Sequence, residues 1–167
     1  MSLIKNLKLQ DSGEHTGIAY INLFDSDIRI TIEKETSVEY ADTCISHLNK
    51  MTDDMRGSLL EKITRYCKFI IDECDLDINY YQDVFGLCLK EASNSINYSA
   101  ILKHVKPSEI VIEKPEQPIP AYSIYCNCDW EPEHGLEIII KGDNILYVSE
   151  TAVLGPWRRQ GTYKCSF

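Results

Sequence analysis

No run of apolar residues in this chain of 167 approaches the roughly 20 that a membrane-spanning helix requires. The opening stretch MSLIKNLKLQDSGEH also lacks the apolar centre of a secretory signal, so the expected compartment is the cytoplasm. Glycine-rich phosphate loops are missing: neither G-x-x-x-x-G-K-[ST] nor G-x-G-x-x-G occurs. No G-x-S-x-G elbow offers a hydrolase nucleophile, and no histidine is placed beside a cysteine by local sequence. Positive charge is scarce as well. Lys and Arg number 17 against 26 Asp and Glu, giving a formal net charge of −9. Such a balance repels nucleic acid and anionic membrane at long range and attracts a basic protein. The chain contains no internal repeat and no low-complexity segment.

Cysteine is not lacking. There are seven, an odd number in a chain with no visible secretory signal, which argues against a disulfide framework. Cys44, Cys67, Cys74 and Cys88 fall at helical spacing among apolar residues, and Cys126 and Cys128 extend an apolar strand face, so all six read as reduced core residues. Cys165 is the one expected to react. Cys126, Cys128, His134 and Cys165 are zinc-ligand types, but C-x-C is not the usual C-x₂₋₄-C spacing and strand alternation already buries both sulfurs. No metal and no cofactor is expected. His15, His47 and His104 fall on loop or polar helix positions and are expected to be solvated.

Periodicity supplies the elements. Leu3–Gln10 reads as an edge strand, followed by the pair Gly17–Phe24 and Asp27–Glu33 about an Asp25-Ser26 turn. Thr36-Ser37-Val38-Glu39 resembles a capping box that opens a helix with Ala41, Cys44, Ile45 and Leu48 inward and Asp42, His47 and Asn49 in water. Thr52-Asp53-Asp54 starts a second helix, with a stripe of Leu59, Ile63, Cys67, Ile70 and Cys74. Tyr80–Ala92 reads as a third helix, and Tyr98–Val105 as a short helical turn ended by Lys106-Pro107. Ser108–Lys114 is a strand, PEQPIP a stiff connector, and Ala121–Ser149 a three-stranded meander. The expected fold is α+β: an antiparallel sheet of five to six strands, in strands–helices–strands order, covered on one face by a helical hairpin and a third helix. One domain is expected over 1–167, with 1–16 and 150–167 as terminal segments.

Two acidic clusters stand out as candidate partner-binding sites. Asp72, Glu73, Asp75, Asp77 and Asp83 occur with no intervening Lys or Arg, beside Tyr80 and Tyr81, and tyrosines are frequent interface anchors. Asp129, Glu131 and Glu133 form the second, in a loop that Pro132 and Gly135 shape and Trp130 anchors to the core. The bland alternative for both is a solvated surface that serves only solubility.

The segments YINLFDSDIRITIE, SVEYADTC to ITRYC, HVKPSEIVIE and CDWEPEHGLEIIIKGDNILYVS resemble an uncharacterised bacterial domain family over Gly17 to Ser149. Members of that family occur among immunity proteins of polymorphic toxin and contact-dependent growth inhibition systems. The resemblance implies a non-enzymatic immunity protein, monomeric or homodimeric, that binds one cognate toxin and blocks its active site or its access to substrate. Many such toxins are basic nucleases. It brings no catalytic residues. Two other classes stay open: a small enzyme whose site is assembled in space, and a dimerising adaptor or regulator.

Overall fold

Alternating apolar residues build a single seven-stranded sheet whose strands lie side by side in chain order. The strands are β1 (Lys5–Leu9), β2 (His15–Ile21), β3 (Ser26–Ile32), β4 (Val105–Ile112), β5 (Ala121–Cys128), β6 (Glu131–Lys141) and β7 (Asn144–Ser149). The computed structural model describes residues 2–74, 98–163 and 166–167. Neighbouring strands run antiparallel except β3 and β4, which pair in parallel from Arg29–Glu109 to Ile32–Ile112. The connection between those two strands carries both helices, α1 (Val38–Asn49) and α2 (Asp53–Glu73). Parallel neighbours require such a crossover, whereas hairpin-linked strands do not.

This corrects the expected sheet twice. It has seven strands where five to six were expected, and it is mixed where an antiparallel sheet was expected. Alternation within a strand reports which face is buried and carries no information on the direction of its neighbour. Two α-helices are described, together with 3-10 turns at Tyr98–His104 and Gln160–Thr162. The third helix expected at Tyr80–Ala92 lies outside the described residues.

Both helices cover one face. Ala41, Cys44, Ile45 and Leu48 of α1 and Leu59, Ile63, Cys67 and Ile71 of α2 join Ile28, Ile30, Ile32, Ile110, Ile112, Ile124, Ile138 and Val148 in one buried cluster. Trp130 seals one end of it, edge-on to Tyr66 at 6.2 Å between ring centroids. Tyr66 is anchored in turn by donating its hydroxyl proton to the Gly135 carbonyl at 3.2 Å.

Several local expectations shift. The N-cap of α1 is Ser37, whose hydroxyl accepts from the Tyr40 amide at 3.1 Å, one residue later than the capping box implied. Thr52 caps α2 as expected, accepting from the Met55 amide. Cys74 is exposed at the C-terminal end of α2, so the stripe ends at Ile71. The helical turn expected at Tyr98–Val105 is present and ends one residue earlier, at His104, while Lys106-Pro107 lies inside β4, where the register slips between Pro107 and Glu109. Such a bulge is where a sheet tolerates proline. The expected loop from Asp129 to Gly135 is mostly strand: the turn is confined to Asp129 and Trp130, and β6 begins at Glu131. A register shift on β5 between Cys126 and Cys128 accommodates the extra residues. Gly135 is required there, because at φ 67° a Cβ would lie 2.5 Å from the Cys126 carbonyl oxygen.

Candidate functional site: an acidic cleft on the open face of the sheet

The face turned away from the helices carries the alternate residues of the same strands. Across β3 to β6 these include Arg29, Thr31, Glu109, Val111, Ser123, Tyr125, Glu137 and Ile139. A cleft of about 480 Å³ opens on this face, with Glu33, Glu109, Glu113 and Glu133 in its lining beside Tyr125, His134, Val111 and Val153. Its acidity follows from strand parity. Glu109 and Glu113 alternate with Ile110 and Ile112, and Glu33 follows Ile32, so placing the isoleucines in the core directs the carboxylates outward.

The carboxylates differ in their surroundings. Glu109 is paired: Arg29 approaches it at 3.2 Å, and the Thr31 hydroxyl donates to the same oxygen. Glu33 and Glu113 have no ion-pair partner among the described residues. Burial, then repulsion from Glu14, pushes the Glu33 carboxyl above its usual range, and Arg158 opposes the shift. Burial likewise raises Glu113, followed by repulsion from Glu33, again against Arg158, with Glu137 and Glu116 adding to the rise. Two partly desolvated, mutually repelling carboxylates in a concave wall make a favourable place for an incoming cation.

Behind them lies Glu137, fully buried. Its carboxylate accepts hydrogen bonds from the backbone amides of Ala152 and Val153, both at 2.8 Å, and of Leu154 at 3.1 Å. Val153 holds a positive φ of 53°, so that the three amides converge on one anion. The segment after β7 is thereby pinned across the open face beside the cleft.

A second cleft, of about 520 Å³, lies at the helical side, between α1 and the turn of Gly142 and Asp143. His47 lines it and is not solvated as expected: its ring bridges the buried Tyr122 hydroxyl at 3.0 Å and Asp143 at 3.2 Å. Those contacts tie α1 to β5 and to the β6–β7 turn and occupy both ring nitrogens. His104 is likewise engaged, with Asp129 at 3.1 Å.

The proposed partner-binding residues separate accordingly. Asp129 is taken up by His104 and, at 3.8 Å, by Lys106. Glu131 accepts from the amides of Glu133 and His134 and faces the His134 ring at 3.3 Å, so it shapes the start of β6. Glu133 lines the cleft. Asp72 and Glu73 stand exposed at the end of α2, on the helical layer. Asp75, Asp77, Tyr80, Tyr81 and Asp83 lie outside the described residues. Glu33, Glu109, Glu113, Glu137 and Arg158 were not singled out from sequence. The one signal for the glutamates is their outward parity, which outward residues of any half-buried strand share.

A domain of unknown function, DUF6985, matches residues 3–154. The chain belongs to the DUF6985 family. No curated protein and no solved structure matches it. The match takes in the whole sheet, both helices and the three amides that hold Glu137, so the cleft walls formed by β3 to β6 are part of the DUF6985 domain. Arg158 and Tyr163 fall beyond the matched span. Among the described residues no group of His, Cys, Asp and Glu is arranged to hold a metal ion, and no helix is long and apolar enough to cross a membrane.

Proposed function

We propose that this protein is an immunity protein that binds a cognate toxin, a basic nuclease, and blocks its active site or its access to substrate. The observation that carries the reading is the acidic cleft: Glu33 and Glu113, partly desolvated and without an ion-pair partner among the described residues, beside Glu133. A lysine or arginine entering there relieves their mutual repulsion, a gain that a fully solvated carboxylate does not offer. The exposed Val153, Ile18 and Tyr20 add apolar and aromatic contact on the same face. Asp72 and Glu73 on the other layer contribute, with the net charge of −9, to the field that draws a basic partner in. The resemblance of the EHGLE-containing meander to domains found among immunity proteins supports the same assignment.

The test is co-expression with the C-terminal domain of any large secreted protein that the adjacent upstream gene encodes, followed by measurement of affinity. The wild-type protein is expected to rescue growth and to bind more weakly as salt rises. Glu33→Lys with Glu113→Lys is expected to weaken binding by roughly tenfold or more. Undiminished protection and salt-independent affinity in that double variant would remove the assignment.

A further inference from the structure

The open face is not uniformly open. Over β5 to β7 its residues Ala121, Ile139 and Tyr147 are buried although neither α1 nor α2 lies on that side, and they stand apart from the main core cluster. The segment that follows β7 crosses this part of the face: its amides 152–154 meet Glu137 and its Trp157 ring meets Lys141, on either side of Ile139 along β6. Gly155 is seated so close to Glu113 that a Cβ at its φ of 69° would lie 1.8 Å from a carboxylate oxygen. The Trp157 ring continues along β6, beneath the Lys141 ammonium at 4.4 Å. Tyr163 folds back to donate its hydroxyl to the Gly155 carbonyl at 2.8 Å, and the Arg158 guanidinium donates to the Leu154 carbonyl at 2.8 Å.

Closure of this segment carries costs that a permanent part of a core seldom keeps. Val153, a β-branched residue, is held in the left-handed region while its side chain is 69% exposed. The buried indole N–H of Trp157 has no acceptor among the described residues. Beneath Gly155 lies Glu113, whose charge already meets Glu33 just after β3, Glu137 on β6 and Glu116, with Arg158 as the opposing cation. Against these stand the Glu137 carboxylate with its three amides, the Lys141–Trp157 contact and, beyond the segment, Phe167 held on β7 and packed against the core. Local costs set against a fastening concentrated at Glu137 are the conditions under which a segment opens as a unit of its own.

We propose that residues 151–163 form a releasable strap, bolted by Glu137, whose opening uncovers a second, apolar floor of Ala121, Ile139 and Tyr147 next to the acidic cleft. The strap then sets how much of the open face a partner meets: closed, the cleft alone; open, the cleft and the floor beside it. The device is a property of this chain and stands whether or not the partner is a toxin. Residues from Gly155 onward lie beyond the span that the family matches, so the cover is laid by sequence outside that match onto a family sheet.

Amide hydrogen exchange in the full chain tests it, because Ala152, Val153 and Leu154 report the bolt directly. Glu137→Gln turns one accepting oxygen into a donor that faces amides. It is expected to speed exchange at these three positions by roughly 10- to 100-fold, the loss expected for charge-assisted bonds, while α1 and the β2–β3 pair keep their wild-type rates. Gly155→Ala unseats the strap from the other side, through the Glu113 collision, and is expected to give the same local pattern. It decides the matter alone if the Glu137 variant does not fold. Unchanged exchange at 152–154 in a folded variant would overturn the proposal. So would acceleration shared by the whole sheet, which would make the segment part of the cooperative core, or wild-type amides that exchange as fast as a free peptide.

Discussion

Burial sets the chemistry of the thiols. Burial pushes the Cys44 thiol up to about 11 and the Cys128 thiol up to about 12, and it drives Cys126 higher still. At pH 8 a thiol of pKa about 11 is ionised in only about one molecule in a thousand, and the thiolate is the reacting form. Cys44, Cys67, Cys126 and Cys128 are therefore expected to resist an aromatic disulfide reagent in the native protein and to react once it is unfolded. Cys74, exposed at the end of α2, is expected to react natively. Rapid native labelling of Cys126 would contradict this packing. The strand pattern of the sequence already placed Cys126 and Cys128 inward. It placed Cys74 inward too, because a helical stripe continues on paper past the point where the neighbouring layer ends.

At the scale of the element, the start of α1 shows how a correct motif selects the wrong frame. Thr36 and Ser37 are both acceptable caps, and Glu39 three residues after Thr36 favours the first. In the fold the Thr36 amide is committed to the turn after β3, bonding to the Glu33 carbonyl at 3.1 Å, and its hydroxyl is buried without a partner among the described residues. Only Ser37 is left free to accept. Ser37→Ala is thus expected to lower stability by about 1 kcal/mol. Thr36→Val, which removes an orphan hydroxyl and keeps the shape, is expected to leave stability unchanged or raise it. Urea denaturation of the two variants decides between the frames: a larger loss for Thr36→Val would restore the first. The same competition explains β6. The Asp129–Gly135 stretch has the composition of a loop, yet pairing with β5 extends the strand back to Glu131 and leaves Gly135 as a bulge residue.

For the whole molecule, the raised carboxylates fix the sign of one pH dependence. The folded state holds the protons of Glu33 and Glu113 more tightly than the unfolded chain does, since burial and repulsion disfavour their charged forms. Their contribution to stability is greatest below the ordinary glutamate range and falls as pH rises through the elevated folded values. Glu113→Gln, which keeps the shape without the charge, is expected to be more stable than wild type at pH 7.5, with the gap closing towards pH 4. Chemical denaturation at the two pH values checks it, and a gap that stays constant or widens towards acid would show that Glu113 is not strained by its charge. Arg158→Gln is expected to enlarge the gain, because it removes the cation that opposes the repulsion.

Alternation and helical stripes, read from the chain alone, determined most of the residues that enter the main core, where the seven strands run, and that two helices stand between the strand groups. These are local consequences of side-chain direction, which repeats every two residues in a strand and about every 3.6 in a helix. The parallel pairing of β3 with β4, the union of all seven strands in one sheet and the crossing of the open face by residues 151–163 were decided only in three dimensions. Each depends on contacts between residues far apart in the chain. Glu33, Glu113, Glu137 and Arg158 become one site for that reason: an outward glutamate looks the same in sequence whether water or another stretch of the chain lies over it.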